Sequence, residues 1–486
     1  MKLRACLKIG RGSAVRDFGV GQGGETGASP QRAVTFEPTP ASAKRLRRPQ
    51  GFRGEGHLAA LLLNQRPLRV SSFVAPCHLA FPTKTEPVPI FRQALNRLLL
   101  LAALVLAHTV TAAPRNTGLW NIAALKAAPK AEWGERTNLV QSLYYEGEPF
   151  NGKPTRVFAY YGRPEGAGPF PAMVLVHGGG GKAFSAWAEH WAKRGYCAIA
   201  MDLAGNGPAG RLPDGGPDQG DVAKFRDFTE ADAKDMWTYH AVAAVLRGHS
   251  LLASRPEVDK NRIGVTGISW GGYLTCIVAG IDDRLKVAVP VYGCGFLHEN
   301  SVWLEPRISK MTPEHRDRWV SHWDPSHYLA GVSCPILFLN GSNDFAYPMD
   351  SYKKCYQLVA ERLRKVSVKI KLPHGHIWTF GEVDQFVDSQ LKAGPPLAAL
   401  TDMKLAGDTA SAKATAPVAL AKAEFHFTTD SGAWQKRNWQ TVPAQLTDGL
   451  VTAKLPAERP LVCYLSVTDS RGVTVTTQHE ELSAPK

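Results

Sequence analysis

From about residue 140 the chain alternates short, mostly apolar runs with segments of helical period. Ala172-Met173-Val174-Leu175-Val176, Cys197–Met201, Ile263–Thr266, Val287–Pro290 and Ile336–Leu339 are each long enough for a strand and too short for a helix. Thr155–Tyr161 precedes them and Val366–Leu372 follows. Between them lie helical patterns at Ala183–Arg194, Glu230–Ser254, Met349–Leu363 and Gly381–Lys392. The last places Val383, Phe386, Val387 and Leu391 on one face. Strands that are apolar throughout must be covered on both faces. The pattern therefore predicts an α/β fold, with a mostly parallel sheet between two layers of helices.

Beyond residue 395 the period changes. Residues 396–420 are rich in Ala, Pro, Lys and Gly and read as a linker. Ala423–Thr428, Leu450–Leu455, Leu461–Thr468 and Val473–Gln478 then look like strands with no helix between them. Asp430-Ser431-Gly432, Asp448-Gly449 and Asp469–Gly472 supply turns. Residues 421–486 are thus expected to form a small all-β domain, an immunoglobulin- or fibronectin-like sandwich. A module of that size is near the lower limit for standing alone, so it should pack on the larger body.

The other end is different in kind. Residues 1–90 are rich in Arg, poor in acids and without sustained period. Phe91–Arg97 then carries two arginines, Leu98–Ala107 is apolar, and His108–Pro114 offers small residues around Ala112 and Ala113. Residues 91–113 therefore read as a signal peptide, too short in its apolar part to span a membrane. The protein is expected to be exported, to the periplasm or outside the cell. On this reading residues 1–90 are an over-called extension or a segment without fixed structure, a transit segment being the rival.

Charge supports this division. The 486 residues carry a formal +14, but residues 1–113 hold 16 Lys+Arg and 5 Asp+Glu, a net +11. The remaining 373 hold 41 and 38, a net +3. A body this close to neutral gives no reason to expect a nucleic acid or stable membrane insertion. None of the eight cysteines forms Cys-x-x-Cys. Buried thiols are expected at Cys197 and Cys276, with pairing of others open if the chain is exported.

The candidate chemistry centres on Gly267-Ile268-Ser269-Trp270-Gly271-Gly272, between the Ile263 strand and a helix bearing Tyr273, Leu274, Ile277 and Val278. A strand, Gly-x-Ser-x-Gly and a helix make a turn so tight that flanking side chains are excluded. The serine hydroxyl is left exposed near a helix N-terminus. Such a nucleophile needs a base and an orienting acid. Asp344 follows the Ile336 strand, and Pro373-His374-Gly375-His376 follows the last strand. Ser269, Asp344 and His376 are the expected catalytic residues. His376 is preferred because it lies deeper in its loop; His374 is the alternative base. Asp350 is a weaker acid candidate, better suited to capping the next helix. The backbone N–H groups of Trp270, Gly179 and Gly180 are the expected oxyanion donors, because His177-Gly178-Gly179-Gly180-Gly181 ends an early strand. A phosphate loop does not fit, because Lys182 is followed by neither Ser nor Thr.

With those motifs, residues 140–395 resemble α/β-hydrolases of the acetylxylan esterase, dienelactone hydrolase and prolyl-oligopeptidase-type group. Ser269-Trp270-Gly271-Gly272-Tyr273 is similar to the Ser-x-Gly-Gly-Tyr of the prolyl-oligopeptidase catalytic domain. No repeated blade pattern of a β-propeller occurs. The Gln after the serine and the Arg-Gly-Gln motif of cephalosporin-deacetylating acetylxylan esterases are absent. The catalytic domain is expected to span 114–395, with a cap inserted at 294–328. Trp303 and Trp319 of that cap, and Tyr347 beside the acid, are candidate substrate contacts. His298, His315, His322 and His327 lack firm zinc spacing. Asp214, Asp218 and Asp221 lie in a Gly/Pro-rich loop that reads as solvated rather than calcium-binding. No metal or cofactor is expected.

The function these features predict is a serine hydrolase cleaving carboxylic esters, with acetyl esters of polysaccharide or small molecules as substrates. A peptidase acting on short peptides is the alternative on the same fold. A non-catalytic carbohydrate-binding protein is the alternative of a different class.

Overall fold

The computed structural model describes residues 115–378 and 380–483. The expected extension and signal peptide lie outside them. The sheet strands are β1 (Ala131–Thr137), β2 (Val140–Glu146), β3 (Arg156–Gly162), β4 (Phe170–Val176) and β5 (Cys197–Met201). After a two-residue hairpin, β6 (Asn206–Gly207) and β7 (Gly210–Arg211), come β8 (Val258–Ile268), β9 (Val287–Val291), β10 (Ile336–Gly341) and β11 (Arg364–Lys369). They form one nine-stranded sheet in the order β1-β2-β3-β5-β4-β8-β9-β10-β11. From β5 to β11 every pairing is parallel, and β1 to β3 extend one edge antiparallel. The β1–β2 hairpin was not anticipated, because its exposed polar positions break the apolar run on which a buried strand is recognised.

The two-sided burial inferred from the apolar runs is present. In β4, Ala172, Val174 and Val176 join a core with the helices Trp237–Ala253 and Trp270–Ile281. Met173 and Leu175 point to the opposite face, against Ser185–Lys193 and Gly381–Leu391. Strand residues alternate sides, so one run feeds two cores. Each fully buried aliphatic side chain contributes about 1.5–3 kcal/mol. The expected helix at 230–254 is shorter, Trp237–Ala253, because Asp232 accepts from Thr229 and Arg226 and holds the preceding residues in turns.

The stretch read as a linker is structured. β12 (Ala399–Leu400), β13 (Lys404–Ala406) and β14 (Thr409–Thr415) belong to a sheet with β17 (Gln445–Thr447) and β18 (Leu450–Lys454). The other sheet holds β15 (Leu420–Thr428), β16 (Gln440–Pro443), β19 (Leu461–Asp469), β20 (Thr474–Thr476) and β21 (Glu480–Leu482). The sandwich thus begins near residue 399, not 421. Its first strands are short and rich in Ala, which hides them from propensity. Ala410 and Ala412 nevertheless face the sandwich core with Phe425, Val451 and Leu465. The domain packs tightly on the larger body. Val473 and Val475 enter the same core as Val383 and Phe386. The Thr476 hydroxyl meets the backbone of Val366 and Val368, covering edge strand β11.

Cys197, Cys276, Cys294, Cys334, Cys355 and Cys463 are all buried free thiols. No helix among the described residues is long and apolar enough to cross a membrane.

Candidate functional site

Ser269 stands at the turn between β8 and the helix Trp270–Ile281, with φ 60° and ψ −121°. A non-glycine residue rarely adopts this backbone, and such strain persists only where the surroundings impose it. Its N–H donates to Val291 O at 2.9 Å and its carbonyl accepts from Tyr273 N at 2.9 Å. A Cβ on Gly267 would collide with the Gly271 carbonyl, and one on Gly271 with the Val176 carbonyl. The glycines of the motif are therefore required by close backbone approach.

Ser269 opens into a cavity of about 590 Å³, also lined by Gly179, Gly180, Trp270, Trp303, Phe345, His374 and His376. A cleft of about 640 Å³ between β11 and the sandwich is slightly larger but holds neither a serine nor a histidine. The smaller cavity has the chemistry. Gly181 N donates to Gly178 O at 3.0 Å, closing a turn in which Gly180 has φ +68°. That turn brings Gly179 and Gly180 to the cavity wall, where Gly179 lies against the Trp270 ring. Trp270 opens a helix, so its N–H has no intrahelical acceptor.

The two histidines are sorted by their partners. His374 Nδ1 lies 2.7 Å from Asp344 Oδ2. The other carboxylate oxygen accepts from Ala346 N at 2.9 Å and Tyr347 N at 2.8 Å. His376 is held differently, its Nε2 accepting from Gly178 N at 3.1 Å. The expected pairing of Asp344 with His376 is therefore corrected, because the ring on the acid is His374. The reason lies in the loop's path. His374 stacks on Tyr292 (4.3 Å between ring centres) and meets Phe345 at 4.7 Å, beside the acid loop. Two residues later the chain has crossed to the other wall, where His376 leans on Phe184 and Trp187. Burial lowers the His376 pKa, and an acceptor nitrogen must be unprotonated. His177 is likewise neutral, lowered to about 4 chiefly by burial; Leu203 N donates to its Nε2 at 2.9 Å. Asp350 binds Asn300 and Ser351 N and touches neither histidine.

Of the candidate substrate contacts, Trp303 lines the cavity and packs on Trp270 at 4.6 Å. Trp319 and Tyr347 are fully buried and do not line it, although the Tyr347 hydroxyl faces the Ser269 side chain. Trp319 is spent on packing: its Nε1 donates to Lys224 O at 2.8 Å and its ring stacks on Phe225. Residues 294–328, the expected cap, contain the helix Pro313–Trp323, which buries Trp319 and Trp323 on one face. The loop of Asp214, Asp218 and Asp221 is solvent-exposed at Asp218, as expected, and also forms part of the cavity wall. Asp218 and Asp221 line the cavity, and Asp214 pairs with Arg156 at 2.5 Å. No group of three or more His, Cys, Asp or Glu among the described residues is arranged to hold a metal ion.

Sequence reasoning missed Tyr292 and Lys224. Tyr292, at φ 33°, donates its hydroxyl to Gly375 O at 2.6 Å; burial pushes its pKa up to about 12. Lys224 is only 2% exposed and lines the cavity. Nothing in Asp221-Val222-Ala223-Lys224-Phe225 marks its lysine as internal.

Residues 157–383 match the model of the dienelactone hydrolase family. Over this stretch the chain resembles the dienelactone hydrolase family. The stretch contains the elbow, the glycine turn, the acid and both histidines. Among curated relatives, acetyl esterase Axe7A from Xylanibacter ruminicola is 24% identical over 216 residues, 40% of this chain and 46% of that protein. The chain thus spans about half the length of that relative. Acetyl xylan esterase from Paenibacillus sp. R4 is 23% identical, with a TM-score of 0.47 over 56% of this chain and 92% of that one. The acylaminoacyl peptidase of Pyrococcus horikoshii is 20% identical, with a TM-score of 0.41 over 56% of this chain and 44% of that one. The domain has the α/β-hydrolase fold.

Proposed function

We propose that this protein is an exported serine esterase that removes acetyl groups from polysaccharide through an acyl-enzyme. One observation carries the chemistry: the buried Asp344 carboxylate holds His374 by Nδ1 in the cavity of Ser269. His374 is thereby left with Nε2 as the free base. Ser269 Oγ attacks the ester carbonyl while His374 Nε2 takes its proton. The N–H groups of Trp270, Gly179 and Gly180 receive the oxyanion. As the C–O bond breaks, His374 returns the proton to the leaving alcohol. Water then repeats the sequence on the acyl-enzyme, releasing acetate and restoring Ser269. Asp344 keeps the imidazole in the required tautomer and stabilises the imidazolium.

The acetyl preference draws on the names of the relatives, an acetyl esterase and an acetyl xylan esterase. Trp303 in the wall and the exposed ring of Phe345 at the rim supply surfaces suited to a sugar face. Export draws on residues 91–113 and is tested by N-terminal sequencing of the natively made protein; a mature chain that retains residues 1–90 would overturn it. For the reaction, acetate release from acetylated xylan is compared with cleavage of aminoacyl-nitroanilides. Faster turnover of the nitroanilides would overturn the esterase reading in favour of a peptidase.

A further inference from the structure

The residue before the acid, Asn343, is tied to the sandwich rather than to the body that carries it. Its Nδ2 donates to Arg437 O at 2.7 Å and Gln435 O at 3.2 Å. Gln435 Nε2 returns a bond to Phe345 O at 3.4 Å, on the other side of Asp344. The acid is therefore flanked on both sides by contacts to one turn of the C-terminal domain.

The connection continues inward. Asn343 Oδ1 accepts from the Ser342 hydroxyl at 2.7 Å, and Ser342 Oγ accepts from Lys371 N at 3.1 Å. Lys371 begins the loop that carries His374. One side chain thus links the sandwich turn to both loops that meet at the Asp344–His374 contact. The turn is braced at its other end, where the Arg437 guanidinium lies 3.6 Å over the Trp434 ring and Nε donates to Gly432 O at 2.9 Å. Trp434 itself is buried in the core of the hydrolase body.

We infer that the C-terminal sandwich acts as a clamp on the acid and base loops, with Asn343 as its positioning residue. This rests on the roles proposed above for Asp344 and His374. An acid displaced by a fraction of an ångström still leaves a folded protein, but a poorly oriented imidazole. Binding of a small ester against Trp270 and Trp303, on walls the clamp does not touch, is then unaffected.

The test uses the full chain with Asn343→Ala and, separately, Arg437→Ala, which unbraces the turn without touching either loop. On 4-nitrophenyl acetate, kcat is expected to fall about tenfold with KM unchanged, and the double variant should be no worse than either single one. The acid limb of kcat/KM should move to lower pH, because a misaligned carboxylate stabilises the imidazolium less. Amide exchange at Ala346 and Tyr347, whose N–H groups hold Asp344, should quicken even in a Ser269→Ala background. If Asn343→Ala does not fold, Gln435→Ala is read by the same criteria. Folded variants whose kcat stays within twofold of the parent, or whose KM alone rises, overturn the clamp. Full activity of Ser269→Ala would instead overturn the esterase reading, so the two failures are separable.

Discussion

The ammonium of Lys224 lies 4.8 Å from the ring centre of Trp270, the residue next to Ser269, and 4.7 Å from that of Trp237. It also donates to the Gln219 carbonyl, and Gln219 Nε2 donates to Gly181 O at 2.9 Å. No carboxylate among the described residues pairs with it. Burial lowers its pKa to about 8, and the charges of Asp221 and Asp218 along the cavity offset only part of that cost. It thus touches the Trp270 indole directly and reaches the glycine turn through Gln219.

Lys224→Met is therefore expected to uncouple stability from activity. The folded pKa lies below the unfolded one, so at neutral pH the ammonium opposes folding, by on the order of 3 kcal/mol before its ring and carbonyl contacts are credited. The melting temperature at pH 7 should stay level or rise, while kcat on a small ester falls about tenfold. Calorimetry beside steady-state kinetics checks this. A large loss of melting temperature would show that the contacts outweigh the desolvation.

The two histidines should separate cleanly. His374→Ala should be as damaged as Ser269→Ala, both losing upwards of roughly 10⁴ in turnover, since a triad acts as one unit. Asp344→Asn should lose roughly 10⁴ with the fold intact. His376→Ala leaves the Gly178 N–H without its acceptor, a cost of about 1–3 kcal/mol, and should reduce activity only about tenfold. Rates on 4-nitrophenyl acetate, with circular dichroism as the fold control, decide it. A dead His376→Ala beside an active His374→Ala would reverse the assignment of the base.

Acid should weaken the sandwich through His426. Its Nδ1 and Nε2 lie 2.9 Å from the Thr441 hydroxyl and 2.8 Å from that of Ser466; burial lowers its pKa to about 4. The unfolded chain takes up a proton near pH 6.5 and the folded one does not. Stability is then complete above about 6.5 and declines as pH falls towards 4, by on the order of 3 kcal/mol. His426→Gln should flatten the dependence of the melting temperature on pH in that window. An unchanged slope would mean that other groups carry it.

Truncation near residue 398 should give an insoluble or strongly destabilised protein. It would remove Val473 and Val475 from a shared core and strip Thr474 N from the buried Glu382 carboxylate, which it meets at 3.1 Å. It would also leave β11 as a bare edge. Solubility and thermal unfolding of the shortened chain are the measurements. A soluble fragment with the parent's melting temperature would show that the sandwich is dispensable for folding.

By itself the sequence determined the layered fold and the sharp turn that carries Ser269. Both rest on local patterns: runs apolar on both faces, and glycines around Ser269 whose need for close backbone approach is readable in the motif. The order of serine, acid and histidine followed from strand order for the same reason. Tertiary structure decided what depends on loop paths and on partners distant in sequence. His374 and His376 are two residues apart and chemically identical, and only the stack on Tyr292 and the crossing of the cavity assign one to Asp344. Lys224 is an ordinary lysine until Trp237 and Trp270 enclose it. Strands β12 to β14 are too rich in Ala and too short to be read until the sheet that pairs them exists. Asn343 becomes a link between domains only because a turn some 90 residues later presents its carbonyls.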